Sequence, residues 1–442
     1  MRYGLLCVTL FLQFGPAARV ALAQNWPPYE LRVGDQLVYE LRSRTTGAAN
    51  PDADVAQLQF WVMGWANDEW KLLVDYTPVE NGVPGATRGG FVYVGPRGAL
   101  RLDEETHADL MAFDRFLRMF VSTPKSWEDQ TNWTTPPDWQ GRRLRCEADA
   151  PDAKQPGLRT LHFHVEDPTG VLEAMSAEHS GTITIDEQLG APSSLQLVER
   201  NADGATTETV ARFRRLLRNG EDFAARMERE AENWLRARRR FERLADEYER
   251  GVDDPEVGER RLRRCWPEFL QQAPRNTPFE SFAIGAQMDI DGRVAALKRR
   301  RLLVTRWLGR TAPHWVAPDQ QGASIRSESL PADKPIIEMF WTARSPASLA
   351  AFHMLRQADG ETPNDSAATI VCVNVDGDIS VGRAASAALA GDMMRVFTGA
   401  PITGLLPEDY PIFRVLTGDR RVKQLAFGLP ANLQSLLEER RP

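Results

Sequence analysis

The sequence predicts a multidomain protein with an N-terminal antiparallel β-rich domain, a central α-helical segment and a C-terminal α/β domain. Three observations support this fold class. The chain of 442 residues is too long for one ordinary hydrophobic core. Residues 24–215 show short alternating strands between turns, whereas residues 216–310 show an apolar period of 3.6. Residues 311–442 alternate strand and helix patterns, which is typical of an α/β domain.

Residues 1–23 have the pattern of a signal peptide. Arg2 supplies the positive charge, Leu5–Phe14 is a short apolar run, and Ala21-Leu22-Ala23 fits a cleavage site. The apolar run is too short to span a bilayer, and no later stretch is apolar enough to do so. We therefore expect a periplasmic or secreted protein without a transmembrane segment after cleavage.

Composition narrows the classes of partner. Hydrophobic residues make up 42% of the chain and charged residues 26%, which is typical of a globular protein. The net charge of −7 argues against a general nucleic-acid binder, which needs a basic surface. We expect no nucleic-acid partner.

The β-rich region is predicted from alternation of apolar and polar residues. Leu37, Tyr39 and Leu41 form one side of a half-buried strand. A hairpin turn at Asn67-Asp68 follows the next strand. The remaining predicted strands are Val55–Met63, Trp70–Tyr76, Phe91–Val94, Leu161–Val165, Thr182–Ile185, Leu195–Glu199 and Thr207–Phe213. One helix near Glu104–Phe120 is expected to interrupt the sheet.

The central region is predicted to be helical. A single apolar stripe runs along its first helix and comprises Phe223, Met227, Ala231, Trp234, Phe241, Leu244 and Tyr248. Further helices are expected over Pro255–Gln272 and Asp291–Trp307. The basic runs Arg238–Arg240 and Lys298–Arg301 indicate either an anionic partner or, as we favour, a solvated helical face.

The C-terminal region alternates strands with helices. The predicted strands are Pro335–Trp341, Ala368–Val375, and a hairpin of Ile412–Leu416 with Arg421–Phe427. The predicted helices are Pro346–Gln357, Val381–Met394 and Ala431–Arg440. Ala368–Val375 is almost continuously apolar, which predicts a central strand of the sheet.

A series of short motifs follows the same order. They are Thr311-Ala312-Pro313-His314-Trp315, Asp319-Gln320-Gln321-Gly322, Lys334-Pro335-Ile336-Ile337, Phe340-Trp341-Thr342-Ala343, Val373-Asn374-Val375-Asp376, Tyr410-Pro411-Ile412-Phe413 and Thr417-Gly418-Asp419. Over about 130 residues this series resembles the TlpA-like (redoxin) branch of the thioredoxin superfamily, which consists of exported thiol–disulfide oxidoreductases. The resemblance implies a thioredoxin fold, a cis-proline at Pro411 and a groove that receives a substrate chain.

The redox motif of that family is absent. Ser345 and Ser348 stand at the two cysteine positions, and disulfide exchange needs thiolates that serine hydroxyls cannot replace. Met339 occupies the place of a buried acid that assists proton transfer in thioredoxins, and Glu338 faces the other side of the strand. Ser345-Pro346 is a favourable helix start, with serine as the N-cap.

The leading hypothesis is therefore a redox-inactive, exported, thioredoxin-fold module that binds a protein or peptide without a cofactor. The resemblance implies a binding groove formed by Trp341, Arg344, Ser345, Pro346, Tyr410 and Pro411. We expect no enzymatic turnover from the serine pair, although the family itself is enzymatic.

Two other functions stay open. A thiol–disulfide oxidoreductase would need a non-standard cysteine, and Cys146 and Cys265 are the candidates outside the predicted core strand that holds Cys372. Whether Cys146 and Cys265 form a disulfide is also open. Alternatively, the β-rich domain binds an apolar ligand in a groove lined by the tryptophans Trp61, Trp65 and Trp70, although core positions for them are favoured.

The pair His162 and His164 is the best candidate for metal binding. Both rings would lie on the same face of a strand, which suits a metal ion. No third ligand can be identified in the sequence, and we therefore predict no metal site.

Overall fold

The structure, a computed structural model, describes residues 28–428 with short gaps. The gaps are 47–53, 81, 104, 111–112, 125–130, 139–141, 151–153, 156, 167–177, 201–204, 332–333, 346, 349–350, 353–354, 356–367 and 388–392. The predicted signal peptide and the predicted helix Ala431–Arg440 lie outside the described residues. No helix in the described ranges is long and apolar enough to cross a membrane.

The N-terminal region forms one antiparallel sheet, as predicted, with twelve described strands. They are β1 (Asp35–Thr45), β2 (Asp54–Ala66), β3 (Glu69–Glu80), β4 (Val83–Pro84), β5 (Arg88–Val94), β6 (Leu100–Leu102), β7 (Asn132–Thr134), β8 (Arg143–Ala148), β9 (Leu158–Glu166), β10 (Glu178–Asp186), β11 (Ala191–Arg200) and β12 (Thr206–Arg218). Their order is β6-β5-β3-β2-β1-β12-β11-β10-β9-β8-β7, with β4 paired to β3. The predicted turn Asn67-Asp68 joins β2 and β3, and both residues have positive φ, as a tight hairpin turn requires.

One face of this sheet is filled by the chain segment that was predicted as a single helix. The described helical residues there form two short helices, α1 (His107–Leu110) and α2 (Asp114–Leu117). The ring of Phe113 stacks on Tyr76 at 5.2 Å, and Phe120 meets Phe60 edge-on at 5.2 Å. These side chains are buried in the same core as the inward residues of the strands. An apolar ligand on this face would have to displace them.

The other face of the sheet is covered by four helices, where three were predicted. They are α3 (Glu221–Glu249), α4 (Pro255–Leu270), α5 (Pro278–Met288) and α6 (Ile290–Trp307). Phe91 of the sheet lies in the same core as Trp234 and Phe282 of the helices. The missed helix α5 has a recognisable start, because Thr277 Oγ1 accepts a hydrogen bond from the Glu280 backbone N–H at 3.2 Å.

A buried carboxyl lies at this interface between sheet and helices. Asp75 is 3% exposed and accepts a hydrogen bond from Trp61 Nε1 at 2.7 Å on Oδ2, while Oδ1 has no hydrogen-bond partner. Trp61 in turn stacks on Phe223 of α3, with ring centroids 5.9 Å apart. Burial raises the pKa of Asp75 to about 7.

We expect this carboxyl to make the protein less stable as pH rises. The folded state binds the Asp75 proton more tightly than the unfolded chain, so unfolding releases it between pH 4 and pH 7. Within that window, stability should fall by about 1.4 kcal/mol per pH unit from this group. Urea unfolding at several pH values should show that Asp75→Asn removes this pH dependence of stability. The control variant Asp222→Asn, at an exposed position of α3, should leave the pH dependence unchanged. Equal slopes in wild type and Asp75→Asn would contradict the assignment.

The C-terminal region forms a five-stranded mixed sheet. After a small hairpin of β13 (Val316–Pro318) and β14 (Ser324–Arg326), its elements are β15 (Ile336–Trp341), β16 (Thr369–Asn374), α7 (Ile379–Ala387), β17 (Met394–Phe397), β18 (Ile412–Leu416) and β19 (Val422–Phe427). The order is β17-β16-β15-β18-β19, with the first three parallel and the last two antiparallel. This is the thioredoxin arrangement. One prediction was wrong: Met394 begins strand β17 rather than ending the predicted helix over 381–394.

Helix α6 belongs to two cores. Its first half places Val294 and Leu297 among the helices that cover the first sheet. Its last turns place Leu303 and Trp307 in the core of the C-terminal sheet, where Trp307 packs 5.8 Å from Phe340. The two regions are therefore joined through a continuous helix as well as through surface contacts.

Candidate functional site

Ser345 lies at the point where the redox motif was expected. It follows β15, and residues 347–348, 351–352 and 355 after it are helical. Its Oγ accepts a hydrogen bond from the Ser348 backbone N–H at 3.2 Å, which is the predicted N-cap. The same hydroxyl donates to the Tyr410 carbonyl at 2.9 Å. At 3% exposed, the hydroxyl is committed to joining the helix start to the cis-proline segment.

Ser348 is committed in a similar way. It is fully buried, and its Oγ accepts a hydrogen bond from the Thr342 backbone N–H at 3.4 Å. Neither serine has a histidine or other base among its hydrogen-bond partners in the described part of the chain. Both hydroxyls therefore stabilise the local structure around Thr342, Ser345 and Ser348 through hydrogen bonds within the chain.

The buried carboxylate of Asp376 holds the chain at Thr342 and Ala343 in place through hydrogen bonds. The sequence had not indicated a role for it. Asp376 accepts hydrogen bonds from the Thr342 hydroxyl, from the Ala343 backbone N–H at 2.9 Å and from Asn374 Nδ2 at 2.8 Å. Asn374 lies near the end of the predicted core strand Ala368–Val375, and Asp376 directly follows that strand. A polar pair at the end of an apolar strand is the signal that could have indicated this support.

The peptide bond between Tyr410 and Pro411 is cis, as the resemblance implied. The backbone groups of these two residues are engaged within the chain. The Tyr410 carbonyl accepts from Ser345, and the Pro411 carbonyl accepts from the Gly428 N–H at 2.8 Å. Both carbonyl groups of this segment are thus already hydrogen-bonded within the chain.

The six residues of the predicted groove differ in accessibility. Trp341 is fully buried and packs edge-on against Phe352 at 4.9 Å, so it belongs to the core rather than to a groove surface. Tyr410 is 4% exposed and Pro411 is also buried. Pro346 lies outside the described residues. Arg344 is exposed and contributes, after the hydrogen bonds from Ser380, to lowering the pKa of Asp378. The accessible part of the site is a charged rim around Arg344.

The loop before the cis-proline is fastened to helix α6. Asp409, in the 3-10 turn Pro407–Asp409, is fully buried and accepts from Arg299 Nε at 2.7 Å. Arg300 Nε lies 3.6 Å from the other carboxylate oxygen. Arg301 donates to the Tyr248 carbonyl at 2.9 Å. The basic run on α6 is therefore largely used for internal contacts, and the expectation of a solvated face is wrong for these three residues.

Glu338 forms a buried ion pair on the opposite face of β15. Its Oε2 accepts from Arg414 Nε at 2.6 Å, and its Oε1 accepts from Trp315 Nε1 at 2.8 Å. The Arg414 guanidinium lies over the rings of Trp307 and Phe340, at 4.7 and 4.8 Å from their centroids. This pair ties α6 to the C-terminal sheet and is not near the serine positions.

The cysteines are free and buried, and they lie in three different cores. Burial raises the pKa of Cys146 and of Cys372 to about 12. Burial also raises the pKa of Cys265. The two candidates for a non-standard redox residue are therefore protonated at neutral pH and sit apart from each other.

The remaining sequence candidates do not converge on a site. His162 is exposed, with Nδ1 3.0 Å from Thr182 Oγ1 and Nε2 3.2 Å from Asp149. The described ranges contain no group of three potential metal ligands. Trp70 is buried and Trp65 lies exposed beside it, 4.6 Å away between ring centroids.

Comparison with solved structures returns thioredoxin-like thiol–disulfide oxidoreductases that cover about 29% of this chain. The thioredoxin domain of a Bacteroides vulgatus thiol-disulfide oxidoreductase is 15% identical, with 29% of this chain and 94% of that chain covered and a TM-score of 0.24. A Bacteroides fragilis thiol-disulfide oxidoreductase is 15% identical, with 29% and 98% covered and a TM-score of 0.25. A secreted disulfide oxidoreductase of Mycobacterium tuberculosis is 20% identical, with 28% and 91% covered and a TM-score of 0.23.

Neither the protein-family models nor the curated proteins contain a match to this sequence. The assignment of the C-terminal fold therefore rests on the strand order and the cis peptide described above.

Proposed function

We propose that this protein is an exported, redox-inactive thioredoxin-fold protein that binds a protein or peptide partner at the rim around Arg344. The observation that carries the proposal is the use of the Ser345 hydroxyl. It caps a helix and bonds to the Tyr410 carbonyl, so the position of the redox nucleophile has become part of the scaffold. The strand order and the cis peptide are retained, whereas the two redox cysteines are absent, which favours a binding role.

Cysteine chemistry gives no support to the rival oxidoreductase function. A thiol with a pKa of about 12 is ionised in roughly one molecule in ten thousand at pH 8, and the thiolate is the reactive form. Cys146 and Cys372 are also enclosed in their cores. The apolar-ligand alternative is disfavoured because aromatic side chains fill the face of the sheet on which Trp70 lies, and Phe223 covers Trp61 on the other face.

We expect the native mature chain, residues 24–442, to resist thiol reagents. In Ellman's assay at pH 8, the native protein should release almost no thionitrobenzoate over an hour, because its thiols are buried and protonated. The same protein in guanidinium chloride should release three equivalents, one for each cysteine. Rapid reaction of one thiol in the native state, together with insulin reduction that is lost when Cys146 or Cys265 is replaced, would overturn the redox-inactive assignment.

Partner binding can be tested at the rim directly. A benzoylphenylalanine placed at Arg344 should crosslink to a discrete partner in the host, because this side chain is exposed beside the serine positions. The same label at the exposed Arg421 on the sheet edge serves as the matched control. Identical crosslinking patterns at both positions, or none at Arg344, would contradict a binding site at this rim.

A further inference from the structure

A cavity of about 830 Å³ lies where the first sheet, the helices and the C-terminal domain meet. Arg88 of β5 and Asp109 of α1 line one side, and Leu406 and Glu408 of the loop before Tyr410 close the edge. Helices α3, α4, α5 and α6 line the walls. Its volume is within the range of small-molecule sites. Neither Arg344 nor any of the three buried cysteines lines it.

Part of the cavity wall is apolar and aromatic. Trp234, Phe241, Trp266 and Phe282 form the aromatic part of the lining, and Ala296 contributes a small side chain from α6. A Cβ added at Gly292 would meet no atom within 4 Å, so this glycine borders open space. An aromatic or aliphatic body can therefore lie against the walls.

Arg293 is the cationic group of the described lining that has no direct ion pair, although Glu242 and Asp289 lie near enough to act on its charge. Its guanidinium lies 5.7 Å from the centroid of the Phe241 ring, and no hydrogen bond or ion pair to it occurs among the described residues. The residue as a whole is exposed, while partial burial of its guanidinium lowers its pKa. An anion entering the cavity would meet this group.

Each carboxylate of the lining has an arginine partner, although Asp109 and Glu242 share one guanidinium. Asp289 is paired with Arg88 at 3.3 Å, Asp109 and Glu242 with Arg238, and Glu408 with Arg299 at 3.5 Å. A cationic ligand would find no free carboxylate and would lie beside Arg293. A dianion would bring a second charge close to these four carboxylates without a second free cation. The charges therefore favour a ligand with a single negative charge.

We propose that this cavity binds a small monocarboxylate with an aromatic or aliphatic body, whose carboxylate pairs with the Arg293 guanidinium. Guanidinium and carboxylate match in a two-point hydrogen-bonded geometry. The apolar part would lie along Phe241 and the small residues of α6. The site is separate from the rim around Arg344 and does not depend on partner binding there.

Isothermal titration calorimetry on the mature chain, with 2-naphthoate and decanoate as probes, tests the proposal. At least one of the acids should bind, and the corresponding neutral amide should bind about tenfold more weakly or worse, because it lacks the charge. Arg293→Gln should reduce affinity for that acid by a similar factor. Arg243→Gln, an exposed arginine of α3 outside the cavity, should leave affinity unchanged.

A second variant tests the cavity itself without changing Arg293. Gly292→Leu should fill open space and abolish binding while circular dichroism and melting temperature show a folded protein. Absence of binding by both acids, equal binding of acid and amide, or full affinity in Arg293→Gln would overturn the proposal. Tight binding of inorganic phosphate would overturn the assignment to a monocarboxylate.

Discussion

The Ser345→Cys, Ser348→Cys double variant is expected to reduce insulin disulfides at a rate about a hundredfold or more above the wild-type background. The substitutions place two thiols at a helix N-terminus, which lowers the pKa of the first thiol and makes it nucleophilic. Ser348 lies one turn on, and its backbone N–H already contacts the Ser345 side chain at 3.2 Å. The second thiol is thus positioned to resolve the mixed disulfide.

Each single-cysteine variant is the matched control, because it has one thiol at the site and cannot complete the exchange. The single variants should form stable mixed disulfides with glutathione at most, without turnover. A double variant that folds, forms its disulfide and still fails to reduce insulin would show that the chemistry was lost for a reason beyond the two serines. The methionine at position 339 would then be the next position to change.

The Glu338→Ala variant is expected to lose about 3–5 kcal/mol of unfolding free energy, because it leaves a buried arginine without its counter-ion. Glu338 and Arg414 are both almost completely buried. Removing the carboxylate also frees the Trp315 indole N–H. Urea unfolding with a fluorescence signal would measure the loss.

A double variant distinguishes the missing charge from missing volume. Glu338→Met with Arg414→Met removes both charges and keeps apolar bulk, so it should recover most of the stability. If Glu338→Ala costs less than about 1 kcal/mol, the pair would behave like an exposed one and would not fix α6 to the sheet. The cost should be the same in the presence of 0.5 M salt, since water and ions do not reach the pair.

The sequence predicted the elements well where local chemistry decides them. The Asn67-Asp68 turn and the apolar strand over residues 369–374 follow from side-chain pattern alone. Strand β17 was missed because it has only four residues and its first residue, Met394, also fits the predicted helix before it. Whether the segment around Phe113 and Phe120 forms one long helix or short helices depends on how it packs against the open face of the sheet. Tertiary packing decides this, and not local sequence.

The site was predicted in part. The helix cap at Ser345 follows from the residue type and its neighbour, and the structure confirms it. The burial of Trp341 and the second hydrogen bond of Ser345 depend on how the cis-proline segment lies against the helix start. The partners of Arg299 and Glu338 come from residues that are 110 and 76 positions away. Such long-range pairs leave no periodic signal in the sequence.

Helix α6 has a mechanical consequence. Its 18 residues form a rod of about 27 Å whose ends are embedded in two different cores. Arg299, near the middle of the helix, donates a hydrogen bond to Asp409 in the loop that leads to Tyr410. A displacement of the helical layer would therefore be passed on by a rigid helix to the segment that carries Tyr410, and not absorbed by a flexible linker.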